Sequence, residues 1–169
     1  MPRRIACACR AAALLLLVGC GSPPSQKGTA AAEDGELKEA FTAYQKALKD
    51  KNAERLWDML STQARADADR VTQQIRGTFV RANAEVKAKL AKDLGLTMSE
   101  MANLKVKDYL RTPRFVGAKP QDEIPKSKFE GATIEGEKAT VKYVEPDDRK
   151  RELRFVREGK RWKVSPAFE

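Results

Sequence analysis

Leu153-Arg154-Phe155-Val156-Arg157-Glu158-Gly159-Lys160-Arg161-Trp162-Lys163-Val164 is the stretch that decides how this chain folds. Leu153 and Phe155, then Trp162 and Val164, alternate with charged neighbours, the period of two that half-buried antiparallel strands require. Glu158-Gly159-Lys160 between them reads as a tight turn. Upstream, Val141 and Tyr143 repeat the alternation within Ala139–Val144, and Lys128–Glu135 supplies another run. With Arg151–Arg157 and Arg161–Ser165 these make four strands, separated by Gly136-Glu137-Lys138, Glu145-Pro146-Asp147-Asp148 and the turn at Gly159. Phe129 and Ile134 are five apart and would face opposite ways. A bulge at Gly131 brings both inside and curves the sheet.

Ahead of this meander the period changes. Leu37, Ala40, Phe41, Tyr44, Ala47 and Leu48 form one helical stripe, with Asp34 expected as N-cap. Asn52 caps a short second helix carrying Ala53, Leu56, Trp57 and Leu60. Ser61 opens a third, whose apolar side runs from Ala64 to Leu94 and which Gly95 stops. A continuous helix of that span would be about 50 Å long, so a kink is expected near Gly77. Thr97-Met98-Ser99-Glu100 has the capping-box form and starts a helix to about Leu110. Pro113, Pro120 and Pro125 punctuate a loop with an edge strand around Arg114 to Ala118. Helices first and a meander last predict an α+β fold.

At the amino terminus, Arg3, Arg4 and Arg10 precede the eight apolar residues Ala11–Val18, too short a run to span a membrane as a helix. Residues 1–19 therefore read as a cleaved signal. Leu17-Val18-Gly19-Cys20 resembles the lipobox of bacterial lipoproteins; the other reading is an ordinary signal followed by a chance cysteine. The resemblance implies that Cys20 is lipidated and anchors the protein to the cell or outer membrane, facing the periplasm or the exterior. Residues 20–34, poor in large side chains, are expected to be a flexible tether, and residues 35–169 the folded domain. Cys7 and Cys9 depart with the signal, so the domain holds no thiol for a disulfide. Thirty basic residues then face twenty-four acidic ones, about +6. The chain contains no histidine, which removes the usual neutral-pH base and most zinc-site designs.

Two segments carry a second resemblance: Ala40–Leu48 followed by Lys51–Ser61 (AFTAYQKAL, KNAERLWDMLS), and the closing Leu153–Val164. Together they look like the NTF2-like superfamily, the cystatin-like cone, particularly its small lipoproteins. The resemblance implies N-terminal helices packed on the concave face of a curved C-terminal antiparallel sheet. Residues Arg65 to Pro125 carry more helix than that family usually has. Enzymes of the superfamily use an Asp, often with His or Tyr, inside the cone; others are binding modules.

Asp58, Asp108, Tyr44, Tyr109 and Tyr143 lie in no matched catalytic motif, and no catalytic residue is assigned. Asp67/Asp69 and Asp147/Asp148 read as surface pairs, so neither metal nor cofactor is expected. Trp57, Phe129, Tyr143, Phe155 and Trp162 are candidate pocket-lining residues, or else simply the helix–sheet core. Lys142, Arg154, Arg161 and Lys163 are expected to share the outer sheet face as a basic patch. Expected partners are the membrane, through Cys20, and a protein or small apolar ligand. Nucleic acid is not expected of an exported chain lacking a groove-reading motif. The function expected is a non-catalytic binding or interaction module. The alternatives are isomerase- or dehydratase-like proton transfer in the cone, or a tether for anionic envelope polymers.

Overall fold

A computed structural model describes residues 27–116 and 122–167. The element order is α1 (Lys27–Lys49), α2 (Ala53–Met59), α3 (Thr62–Arg81), α4 (Ala84–Leu94), α5 (Met98–Ala102), α6 (Val106–Leu110), α7 (Pro113–Val116), a 3-10 turn (Ile124–Lys126), then β1 (Lys128–Glu135), β2 (Lys138–Val144), β3 (Lys150–Glu158) and β4 (Arg161–Val164). The strands form one antiparallel meander in sequence order. The fold is α+β, with helices packed on one face of the C-terminal sheet, as the strand alternation predicts.

The sheet obeys its sequence closely. Phe129 lies opposite Tyr143 and Gly131 opposite Lys142, so Glu130 is the extra residue of a bulge. That slip keeps Phe129, Ala132 and Ile134 all toward the helices, where each is partly buried against the core. Across β2 and β3, Ala139, Val141, Tyr143, Leu153 and Phe155 form the inner face. Gly136 and Gly159 turn the hairpins at φ of 63° and 65°, in the left-handed region where a side chain is strained.

α1 lies against β1 and β4, and its Gln45 Nε2 donates to the carbonyls of Ile124 (2.8 Å) and Ser127 (2.9 Å), fixing the entry to β1. The Phe41 ring sits 5.5 Å from Tyr143 and 6.1 Å from Phe129, centroid to centroid. After α2, Leu60 bridges to Val164, Ser61 N donates to the Val164 carbonyl at 2.8 Å, and Thr62 N donates to Glu158 Oε1 at 2.6 Å. The helical layer is thereby tied to the last strand at both backbone and side chain. α3 carries Ala64, Ala68, Val71, Ile75 and Phe79 inward and packs on α4, α5 and α6.

Local caps fall where sequence places them. Asn52 and Ser61 accept from the amides three residues on, Gly95 takes φ 64°, and Thr97 and Glu100 complete the capping box. Four expectations are corrected. α1 does not start after an Asp34 cap but already at Lys27, because the alanine-rich run before Glu33 favours helix. Residues 27–34 of the expected tether are therefore helical, while 20–26 and the signal lie outside the described residues. The long helix breaks at Ala82–Asn83, not near Gly77, because Asn83 Oδ1 caps a new helix at Val86 N, 2.9 Å away. The Thr97–Leu110 helix divides at Asn103–Lys105, where Leu104 turns inward and Asp108 accepts from Lys105 N at 3.3 Å. Arg114–Val116 is helical rather than an edge strand, and residues 117–118 lie outside the described residues.

Two substitutions test this arrangement by urea unfolding. Phe41→Ala should cost about 3–5 kcal/mol, the usual loss for truncating a fully buried phenylalanine. Gly95→Ala should cost about 1 kcal/mol for backbone strain alone, since the added Cβ meets Pro113 Cδ at an ordinary 3.6 Å.

Candidate functional site

The five aromatic residues expected to line a pocket do not converge on one space. Tyr143, Phe155 and Trp162 are buried, whereas Phe129 and Trp57 are half-buried. Phe129 and Tyr143 clasp Phe41 at one end of the sheet. Phe155 lies opposite Ala139, four residues along β2 from Tyr143, or about 13 Å at the usual strand rise. Trp162 is covered by the Arg157 guanidinium, 4.5 Å from its ring centre. Trp57 sits on α2 beneath Arg65, 5.2 Å away, whose Nε donates to the Trp57 carbonyl at 2.9 Å.

At the far end of β2 the core turns polar. Tyr44 and Tyr143 are both fully buried, and neither hydroxyl has a hydrogen-bond partner. Burial raises the Tyr143 phenol to about 12, with the Glu145 charge adding to the rise and Arg151 opposing it. Burial, then Tyr143, raises Tyr44 further still. Glu145, in the β2–β3 turn, has a carboxylate only 2% exposed, held 3.3 Å from the Nε atoms of both Arg149 and Arg151. Its amide donates to the Arg149 carbonyl at 2.9 Å, closing the turn. Sequence reasoning passed over Glu145 as a turn residue. The alternation was the available signal, since Tyr143 points in, Val144 out, and the next residue in again.

Of the five residues weighed for catalysis, Tyr44 and Tyr143 belong to this cluster, whereas Asp58, Asp108 and Tyr109 have other partners. Asp58 is exposed, and its carbonyl accepts from Arg65 Nη2 at 3.1 Å and from Lys163 Nζ. Asp108 pairs with Arg111 at 2.7 Å. Tyr109 is buried against Phe115, which raises its phenol. Among the described residues no cluster of three or more His, Cys, Asp or Glu could hold a metal, and no helix is long and apolar enough to cross a membrane.

By register parity Lys142, Arg154, Arg161 and Lys163 share the outer sheet face, but they spread from one end of β3 to the other and acids are interleaved. Glu152 lies opposite Lys142 and Glu158 opposite Arg161. A groove of about 720 Å³ opens over β1 to β3, lined by Glu130, Thr133, Lys142, Lys150, Arg151 and Glu152 among others. Its cations are partly spoken for: Lys150 pairs with Glu130 at 2.7 Å and Arg151 with Glu145. Cys20 lies outside the described residues.

Set against known proteins, the chain matches no family model, no curated protein and no solved structure. What fold and site define together is an α+β helix–sheet domain with a closed aromatic core and a buried tyrosine–glutamate cluster.

The tyrosine cluster makes stability depend on pH in a set direction. Phenols that ionise near pH 10 in the unfolded chain, and only at higher pH when folded, stabilise the fold fully up to about pH 10. That contribution should be lost as pH rises from about 10 through 12, and Tyr143→Phe should flatten the decline in chemical melts. At neutral pH, Tyr44→Phe removes an unpartnered hydroxyl and should leave stability unchanged or raise it by up to about 1 kcal/mol.

Proposed function

We propose that this chain is a lipid-anchored cell-envelope protein with an NTF2-like domain that acts as a non-catalytic binding or interaction module. The observation that carries the binding reading is the closed interface between helices and sheet. Phe41, Tyr44, Tyr143 and Phe155, each at most 1% exposed, lie buried between the helices and the sheet, where a cone enzyme would hold substrate. Surfaces rather than an interior are thus the chemistry on offer. The envelope location rests on the charged start, the short apolar run and Leu17-Val18-Gly19-Cys20. An outer-face groove with charges of both signs suits a partner that presents both signs itself.

A second reading, proton transfer beside a carbonyl, draws on one specific feature. The unpartnered hydroxyls of Tyr44 and Tyr143, with Glu145 nearby, are the kind of donors that stabilise an oxyanion. It would require the aromatic interface to open.

One experiment addresses the anchor. The full chain expressed in a bacterium should partition into the detergent phase of Triton X-114, and its N-terminal tryptic peptide should carry acyl mass on Cys20. Cys20→Ala should move it to the aqueous phase. A wild-type chain that stays aqueous, or an unmodified Cys20 peptide, would refute lipid anchoring. Native mass spectra of the chain from the envelope would bear on the module: a small molecule retained by wild type and lost in Tyr44→Phe/Tyr143→Phe would favour the enzyme reading instead.

A further inference from the structure

One helical segment of the chain is strongly basic. From Arg70 to Lys92 there are six basic side chains (Arg70, Arg76, Arg81, Lys87, Lys89, Lys92) and a single acid, Glu85. That is a net +5 over 23 residues, second to the net +6 of Arg149–Lys163 spanning β3 and β4. The segment is the second half of α3, the corner Ala82–Asn83 and most of α4.

Most of the cations there also lack an ion pair. Arg70 pairs with Asp67 at 3.1 Å. Lys87 lies over the Phe79 ring, 5.7 Å from its centre. Arg76, Arg81, Lys89 and Lys92 make no ion pair among the described residues. On the other strongly basic stretch, Arg149–Lys163, four of the eight cations are paired: Arg149 and Arg151 with Glu145, Lys150 with Glu130, and Arg157 with Glu33 and Glu36. Like charges left crowded and unpaired destabilise a fold slightly, so such a cluster has its physical use toward an outside anion.

The same corner exposes apolar surface. Val80 at 62% and Val86 at 42% are two of the three large hydrophobic side chains exposed among the described residues, and they flank Ala82–Asn83 on either side. A lone exposed valine means little. Two at the apex of a basic helix pair have the composition of an interfacial element, cations for headgroups and aliphatic tips for the acyl boundary.

We infer that the α3–α4 corner docks on an anionic lipid surface. The valines favour lipid over a purely anionic polymer, because a polyanion in water gives aliphatic side chains nothing to enter. The inference extends the lipid-anchor reading by setting which side of the domain faces the bilayer, yet it does not need the anchor to be tested. Docking also assigns the basic contact to the helices rather than to the sheet residues Lys142, Arg154, Arg161 and Lys163, whose acids are interleaved.

The test is flotation of residues 20–169 carrying Cys20→Ser, and so free of lipid, with vesicles of phosphatidylcholine alone or with 30% phosphatidylglycerol. Binding should appear only with the anionic lipid and collapse at high salt. Each cation near such a surface is worth about five-fold in affinity, so Arg76→Gln/Lys89→Gln/Lys92→Gln should weaken binding about a hundred-fold. Val80→Ser/Val86→Ser should weaken it several-fold while leaving retention on heparin unchanged. Lys142→Gln/Arg154→Gln should bind as wild type. Thermal melts of each variant confirm folding, since every substituted corner side chain is exposed. Equal binding to neutral vesicles, or loss through the sheet variant with the corner variant unaffected, would overturn the proposal. Anionic binding indifferent to the valines would reassign the corner to polyanions. Failure of Cys20 acylation would leave this result standing and refute only the anchor.

Discussion

The seat of Phe41 on the Phe129–Tyr143 pair is the contact from which the rest of the domain is hung. It joins the first helix to the first two strands, elements separated by most of the chain, and it depends on the Glu130 bulge. Without the extra residue, β1 could not turn both Phe129 and Ile134 inward. Placing α1 there sets where α2 must end, and the Leu60–Val164 bridge with the Ser61 and Thr62 hydrogen bonds then locks β4 beneath it. α3 to α7 pack outward from that lock and form a second helical tier.

The distribution of charge divides the molecule into two surfaces. Around the sheet, acids are interleaved with bases and Lys150, Arg149, Arg151 and Arg157 find partners, though Arg149–Lys163 keeps a net +6. Toward the α3–α4 corner, cations accumulate without partners and aliphatic side chains reach solvent. Between these surfaces the interior is aromatic and closed, apart from the tyrosine hydroxyls near Glu145.

The strands and most helix caps were legible because their signals are short-range. Alternation at a period of two, a glycine at positive φ, and Ser, Thr or Asn three residues before the amide it caps are settled within a few residues. The helix break was misplaced for the same reason. Gly77 is the weaker helix former, but Asn83 offers a competing cap, and Gly77 keeps its helical conformation within α3. The start of α1 was misread because Ala30–Ala32 suits a tether and a helix equally. Only neighbouring structure, with Glu33 3.0 Å from Arg157, holds that end in place.

The sequence by itself determined the α+β order, the strand register through its bulge, the caps, and the absence of histidine and of a domain thiol, all of which follow from composition or from contacts within one turn. The tertiary structure alone decided that the expected pocket residues are spread apart through the core and that Glu145 is buried between two arginines. Burial and charge neutralisation depend on which side chains meet across long separations. Arg157 finds Glu33 more than a hundred residues away, and Arg76 finds no acid at all among the described residues. Such pairings belong to the packed chain and have no signature within a turn of helix or a single strand.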